Sequence, residues 1–354
     1  MSPRVGATCL AFACLIAVDL SASVRTQDSA GTVTGVVRDS ASGRPVGYAL
    51  IIVVGKDQQV FAGESGRFTL SGLGGGSVTL RIQQIGYRPT RITVPTTSGR
   101  SGSAGAPLVI ALARQAVVLP EVMVRGSVCS GVEELASEAE GGSILDEAFK
   151  NAERLLAVER SYPFRVAFQR ATTILDSLRQ RTGGWIDTVY YDSRSLIGYR
   201  KGRVLPLNPP RGRTETARYF TTSDLAREEF RRSHCFWYAG PDSSVEGFPG
   251  YRIDFAPKSD IKGVDWAGSF LIDTLTMRLL KSEARMVNLP PRGTTFTAAT
   301  CTVFYNPIAP TLVQEFQAAC IHAHRTTPPQ LVVERWLLVR STFLRRTPVD
   351  TATP

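Results

Sequence analysis

The chain of 354 residues has only three histidines and six cysteines, and no two cysteines stand at C-x-x-C spacing. That argues against the common zinc ribbons and knuckles. A G-x-S-x-G elbow is also missing, so the strand–turn–helix setting of a typical serine hydrolase is not encoded. Beyond the N-terminal segment, no apolar run approaches the roughly 20 residues a membrane-crossing helix needs. Long basic runs are missing too, because the net charge of +10 is spread along the chain. Such a surface suits anionic lipid headgroups or acidic polysaccharide. Nucleic acid is set aside as a partner, because the chain reads as exported.

The export reading rests on the first residues. Arg4 precedes an apolar run from Val5 to Val18, Asp19 ends that run, and Ser21, Ala22 and Ser23 follow. This is the order of a secretory signal peptide, so residues 1–23 are expected to be removed near Ser23. Lipidation at Cys14 is the competing reading, but the apolar run continues past it to Val18. The mature chain is therefore expected in the periplasm or at the outer membrane, with peripheral rather than spanning membrane contact. Cys129, Cys235, Cys301 and Cys320 then remain, an even number in an oxidising compartment, which predicts two disulfides. Of the three connectivities, Cys129–Cys235 with Cys301–Cys320 is favoured, since the latter pair falls on neighbouring strands of one predicted meander.

Between Gly31 and Val94, short β-branched runs alternate with Gly, Pro, Asp and Ser turns, the pattern of an all-β sandwich. Gly35, Val37, Asp39, Gly43, Pro45, Ala49, Ile51, Gly66, Phe68, Leu70, Gly75 or Gly76, Leu80, Ile82, Gly86 and Tyr87 carry a resemblance to the carboxypeptidase regulatory-like domain. That family has a transthyretin-like sandwich, also described as a carbohydrate-binding-like fold, and its role is structural or adhesive. Val78 departs from the pattern, since the family usually places an aromatic there. The sandwich is expected over 24–95, with linker and closing strands over 96–126. Within that linker Leu108 to Leu112 reads as a strand, and Val117 to Gly126 resembles the segment that joins such sandwiches to a receptor plug.

Residues 127–346 read as a second domain, and 347–354 as a disordered tail. Its helix is expected over 142–160, with Ser143 as N-cap, Asp146 and Glu147 in the first turn, and an apolar stripe of Leu145, Phe149, Ala152, Leu155, Leu156 and Val158. Glu138, Glu140, Asp146, Glu147, Glu153 and Glu159 read as a solvated face. Alternating runs follow at Phe164 to Thr172, Tyr251 to Phe255, Trp266 to Asp273, Arg278 to Arg285, Thr297 to Tyr305, Leu312 to His324 and Leu331 to Phe343, an antiparallel meander. The rhythm from Gly268 to Thr276 is similar to half-barrels of the periplasmic lipoprotein-carrier type. Cys129 and His234-Cys235-Phe236 resemble elements of uncharacterised bacterial envelope proteins with the same N-terminal sandwich. The expected fold is thus mainly β: a transthyretin-like sandwich, then an α+β domain with an antiparallel curved sheet and one main helix.

The candidate site residues are few. His322 and His324 share one strand face, a spacing that can hold a metal, and His234 is the third candidate ligand, but no acidic or cysteine ligand accompanies them at suitable spacing. No cofactor is expected. Trp237, Trp266 and Trp336 are candidate ligand-face aromatics, with core anchoring as the alternative. The expected function is a non-enzymatic binding or scaffold protein of the cell envelope: the sandwich docks, and the curved sheet takes an apolar ligand or a protein partner. A carbohydrate-binding protein is the alternative, and a hydrolase using His234, His322 or His324 the second. The expected partners are a cell-envelope protein, lipid or polysaccharide.

Overall fold

The computed structural model describes residues 31–98, 107–115, 144–195, 198–205, 218–245, 247–309 and 312–344. The predicted signal peptide, the Cys14 lipidation site, Cys129, Ser143 and the tail lie outside the described residues. Seven short strands form the N-terminal unit: β1 (Gly31–Asp39), β2 (Leu50–Val53), β3 (Gln59–Phe61), β4 (Arg67–Leu73), β5 (Gly76–Gln83), β6 (Thr90–Ser98) and β7 (Leu108–Leu112). Their order is β3-β2-β5-β6-β1-β4, with β7 running parallel to β1. Strand β6 joins the two layers, pairing with β5 along most of its length and with β1 at its end.

Local chemistry explains the motif positions. Asp39 accepts hydrogen bonds from the Ala41 and Ser42 amides at 3.0 and 2.8 Å and from the Tyr87 hydroxyl at 3.1 Å. Arg114 Nε adds a 2.9 Å ion pair. These donors hold the Asp39 carboxyl well below the usual carboxylate range, with the Ser42 amide contributing most. Gly66 sits at φ +75°, and a Cβ there would run into the Val37 carbonyl oxygen. Only glycine meets both demands. The smaller Val78 is still buried in the sandwich core with Leu80, Ile82 and Phe68.

The helix α1 (Ile144–Ser161) follows. Two strands come next, β8 (Phe164–Leu175) and β9 (Arg181–Asp192), then the short α2 (Glu228–Ser233). The rest is a meander of β10 (His234–Val245), β11 (Phe248–Pro257), β12 (Asp265–Asp273), β13 (Leu279–Val287), β14 (Phe296–Ala309), β15 (Leu312–His324) and β16 (Gln330–Phe343). All nine strands form one sheet, ordered β10-β11-β12-β13-β14-β15-β16-β8-β9, with every pairing antiparallel. The expected mainly-β architecture with one principal helix is therefore correct.

The solvated helix face is not. Of the acids read as solvated, Glu147 and Glu159 are buried and Asp146 and Glu153 half-buried, while Glu138 and Glu140 lie outside the described residues; Lys150, Asn151 and Arg154 are buried on the same helix. One side of α1 packs Leu145, Ala148 and Ala152 against the inner face of the sheet, beside Phe236, Trp266 and Phe270. The other side meets the sandwich, where Leu50 and Phe61 pack with Ala157, Val158 and Tyr162. Polar contacts complete this seam. Glu147 accepts the Gly86 amide at 3.0 Å and pairs with Lys150 at 2.8 Å, while Lys150 donates to the Tyr87 carbonyl at 2.7 Å. Arg154 donates to Gln84 Oε1 and to the Tyr48 carbonyl, both at 2.7 Å. A helix read alone looks half-solvated, whereas one clamped between two β units must satisfy its charges internally.

Candidate functional site

The inner face of the nine-stranded sheet is the face that α1 covers. Because side chains alternate along a strand, cross-strand register lines up rows of residues on that face. One row runs Cys301, Cys320, Glu334, Thr172 and Trp185 across β14, β15, β16, β8 and β9. The next runs Val303, Ala318, Trp336, Arg170 and Asp187. At the β10–β14 end the face is filled by apolar core. At the β15–β9 end polar side chains enter the face, with Glu334, Thr172 and His322 buried, and exposure rises only at β9.

Arg170 organises this open end. Its Nε and Nη2 donate to both oxygens of Asp187 at 2.9 and 2.5 Å, and its Nη1 reaches Glu334 at 3.4 Å. The same guanidinium stands 5.1 Å from the centre of the Trp336 ring. Trp336 in turn donates its indole N–H to Glu334 at 3.3 Å and packs against Tyr191 and Phe168. Burial pushes the Glu334 carboxyl up, against the pull of Arg170. Tyr219, from the segment that covers the sheet, lies 2.8 Å from His322 Nε2 and stacks on that ring. Burial and the neighbouring His324 hold His322 down to about 4, so it is neutral at ordinary pH. Thr172 Oγ1 is buried and has no hydrogen-bond partner among the described residues. Beside it Trp185 is 49% exposed, which makes it a rim to the cluster.

The predicted site residues fall in several places. His322 and Trp336 belong to this cluster. His324 lies on the same strand against Phe296, with their ring centres 4.4 Å apart. His234 is elsewhere, stacked on Phe230 in the core, with its ring nitrogens 3.1 and 3.0 Å from the carbonyl oxygens of Phe230 and Trp266. It is a core histidine that does not join the other two. Trp266 is fully buried and donates to the Arg218 carbonyl at 3.1 Å, so it is core and not a ligand-face aromatic. Trp237 sits half-buried on the opposite face from Phe236 and Tyr238, paired across with Asp254. Cys301 and Cys320 are joined, with their Cα atoms 4.1 Å apart. Cys235 is disulfide-bonded as well.

Sequence reasoning missed Arg170, Thr172, Trp185, Asp187, Tyr191, Tyr219 and Glu334. A signal existed for β9, since Trp185 to Tyr191 is rich in aromatic and β-branched residues. Gly183 and Gly184 masked it, because paired glycines read as a loop. An opening of about 200 Å³ at the seam is lined by Arg81, Pro89, Asp146, Phe149, Lys150, Glu153 and Arg231. Its charges are paired: Glu153 binds Arg81 at 3.1 Å and Arg231 at 2.8 Å.

The family model for the carboxypeptidase regulatory-like domain matches residues 32–108. No curated protein matches the chain. Among solved structures, a streptococcal ancillary pilin is 20% identical, with a TM-score of 0.19, covering 25% of this chain and 30% of the pilin chain. A DUF1329 family protein from Desulfovibrio piger is 10% identical over 56% of this chain and 93% of its own, with a TM-score of 0.30. A putative membrane-associated protein of unknown function from Bacteroides fragilis is 10% identical over 88% and 95%, with a TM-score of 0.17. All three overlap only loosely with this chain.

Proposed function

With residues 32–108 forming a carboxypeptidase regulatory-like domain, we propose that the chain is a non-enzymatic binding protein of the cell envelope. In this reading the sandwich docks the molecule and the open end of the curved sheet holds the ligand. The carrying observation is the row Glu334, Thr172, Trp185, in which an exposed indole borders a buried hydroxyl with no hydrogen-bond partner among the described residues. An aromatic platform beside a few fixed polar groups suits a polar ligand with ring faces, which makes a saccharide chain the favoured class. A purely apolar ligand is less well served, because α1 and its core already occupy the apolar part of the inner face. Binding is favoured over turnover because Arg170 and Asp187 are tied to each other and Cys301 and Cys320 are bonded.

A glycan array followed by calorimetry on the best-scoring glycan tests this. Trp185→Ala is expected to weaken binding about tenfold or more, as removal of a central aromatic anchor does. A blank array at high protein concentration, or undiminished binding by that variant, would sink the assignment.

A further inference from the structure

Cys301 and Cys320 face each other across β14 and β15, and His322 follows two residues after Cys320 on the same inner face. Among the described residues, these three offer ligand atoms that all lie within 4.8 Å of one another, and all three are buried. With the sulfurs joined, the group is a cystine beside an imidazole and holds nothing. We propose that reduction of Cys301–Cys320 turns this group into a Cys₂His site for a thiophilic divalent cation, with zinc the best fit. Zinc takes thiolate at about 2.3 Å and imidazole at about 2.0 Å in a tetrahedral arrangement. Ligand atoms of such a site stand within about 4 Å of one another, and the paired strands already bring these to within 4.8 Å.

The surroundings suit a metal-bound imidazole. Tyr219 contacts His322 through Nε2 at 2.8 Å and stacks on its ring, the kind of outer contact that orients a ligating histidine. The step balances when a dithiol supplies two electrons and two protons. The cystine becomes two thiols and the dithiol closes to its own disulfide. Zinc then displaces both thiol protons as two Zn–S bonds form, while His322 donates a lone pair and solvent takes the fourth position. The site does not depend on a saccharide at Trp185, which lies three strands away from Cys320.

Titration of the full chain with Co²⁺ after reduction by a phosphine, with the reductant removed and oxygen excluded, tests the proposal. The reduced protein is expected to take about one equivalent, with thiolate-to-cobalt charge-transfer absorption and the intense d–d bands of a tetrahedral site, displaced by Zn²⁺. The oxidised protein is expected to show neither. Cys301→Ser and His322→Gln should abolish or distort the spectrum, and Tyr219→Phe should weaken affinity about tenfold. A chain carrying both Cys129→Ser and Cys235→Ser should bind as wild type, which separates this site from the other reduced thiols. Absence of cobalt absorption in the reduced wild type overturns the proposal. So does its persistence in Cys301→Ser, or unfolding on reduction, by near-UV circular dichroism, that Zn²⁺ does not reverse.

Discussion

Asp39 in the sandwich and Glu334 on the curved sheet are both buried strand carboxylates, and their surroundings push them in opposite directions. Asp39 gathers two backbone amides, two hydroxyls and a guanidinium, and its carboxyl is driven down. Glu334 has a longer contact to Arg170 and hydrogen bonds with the Trp336 indole and with Tyr219, and burial still drives it up. A carboxylate saturated with donors is a fastening, since nothing is left for a ligand to satisfy. Glu334 lacks that saturation, and beside it the Thr172 hydroxyl has no hydrogen-bond partner among the described residues. The seam around α1 resembles the Asp39 region, with its carboxylates Glu147 and Glu153 each bonded to cations.

If the seam is a fastening, breaking it should have the largest effect on stability. Glu147→Ala strands Lys150 and frees the Gly86 amide, both within the interface. Loss of one partner from a buried pair costs about 3–5 kcal/mol, so denaturant unfolding of this variant should show a much lower midpoint. A loss under about 1 kcal/mol would show that the sandwich and curved sheet do not depend on the helix between them.

The two carboxylates also predict opposite responses to pH. Asp39 is lowered in the folded state, so its contribution is present above the ordinary carboxylate range and is lost as pH falls below about 4. Glu334 is raised, so its contribution is full below the unfolded value and is lost as pH rises through the folded one. Asp39→Asn should therefore flatten the acid limb of the stability profile. Glu334→Gln should gain on wild type as pH rises from about 4 towards 7. Chemical unfolding at a series of pH values reads both, and parallel profiles for the two variants would erase the contrast.

Much of this arrangement was legible in the chain, for reasons tied to particular residues. Tyr251 to Phe255 alternates because one face of its strand meets the core, so that part of the meander could be read, whereas Trp266 to Asp273 is buried on both faces and carries no clean alternation. Cys301 and Cys320 could be paired because their strands are consecutive. The burial of Glu147, Lys150 and Arg154 could not be read, because their partners lie on the sandwich, distant in sequence. Tyr219 lacks any periodic context, and only the folding of its segment over the sheet brings it to His322. His234 reads from the sequence as a candidate metal ligand, but its stacking on Phe230 depends on α2, a helix too short to announce itself.

The smallest effect gives the sharpest test of the open end. Thr172 pairs across with Glu334 and Trp185, and its hydroxyl is buried with no hydrogen-bond partner among the described residues. Replacing an unsatisfied buried hydroxyl with a methyl of similar shape removes a desolvation cost and no hydrogen bond. Thr172→Val should therefore leave thermal stability unchanged or raise it, by up to about 1 kcal/mol. At an ordinary structural threonine the same change would cost a comparable amount. If the open end binds a polar ligand, this variant should also bind more weakly, since a position held below its stability optimum is where function competes with folding. A clear destabilisation by Thr172→Val would mean that the hydroxyl already has a partner, and the difference between the Glu334 region and the Asp39 region would then narrow.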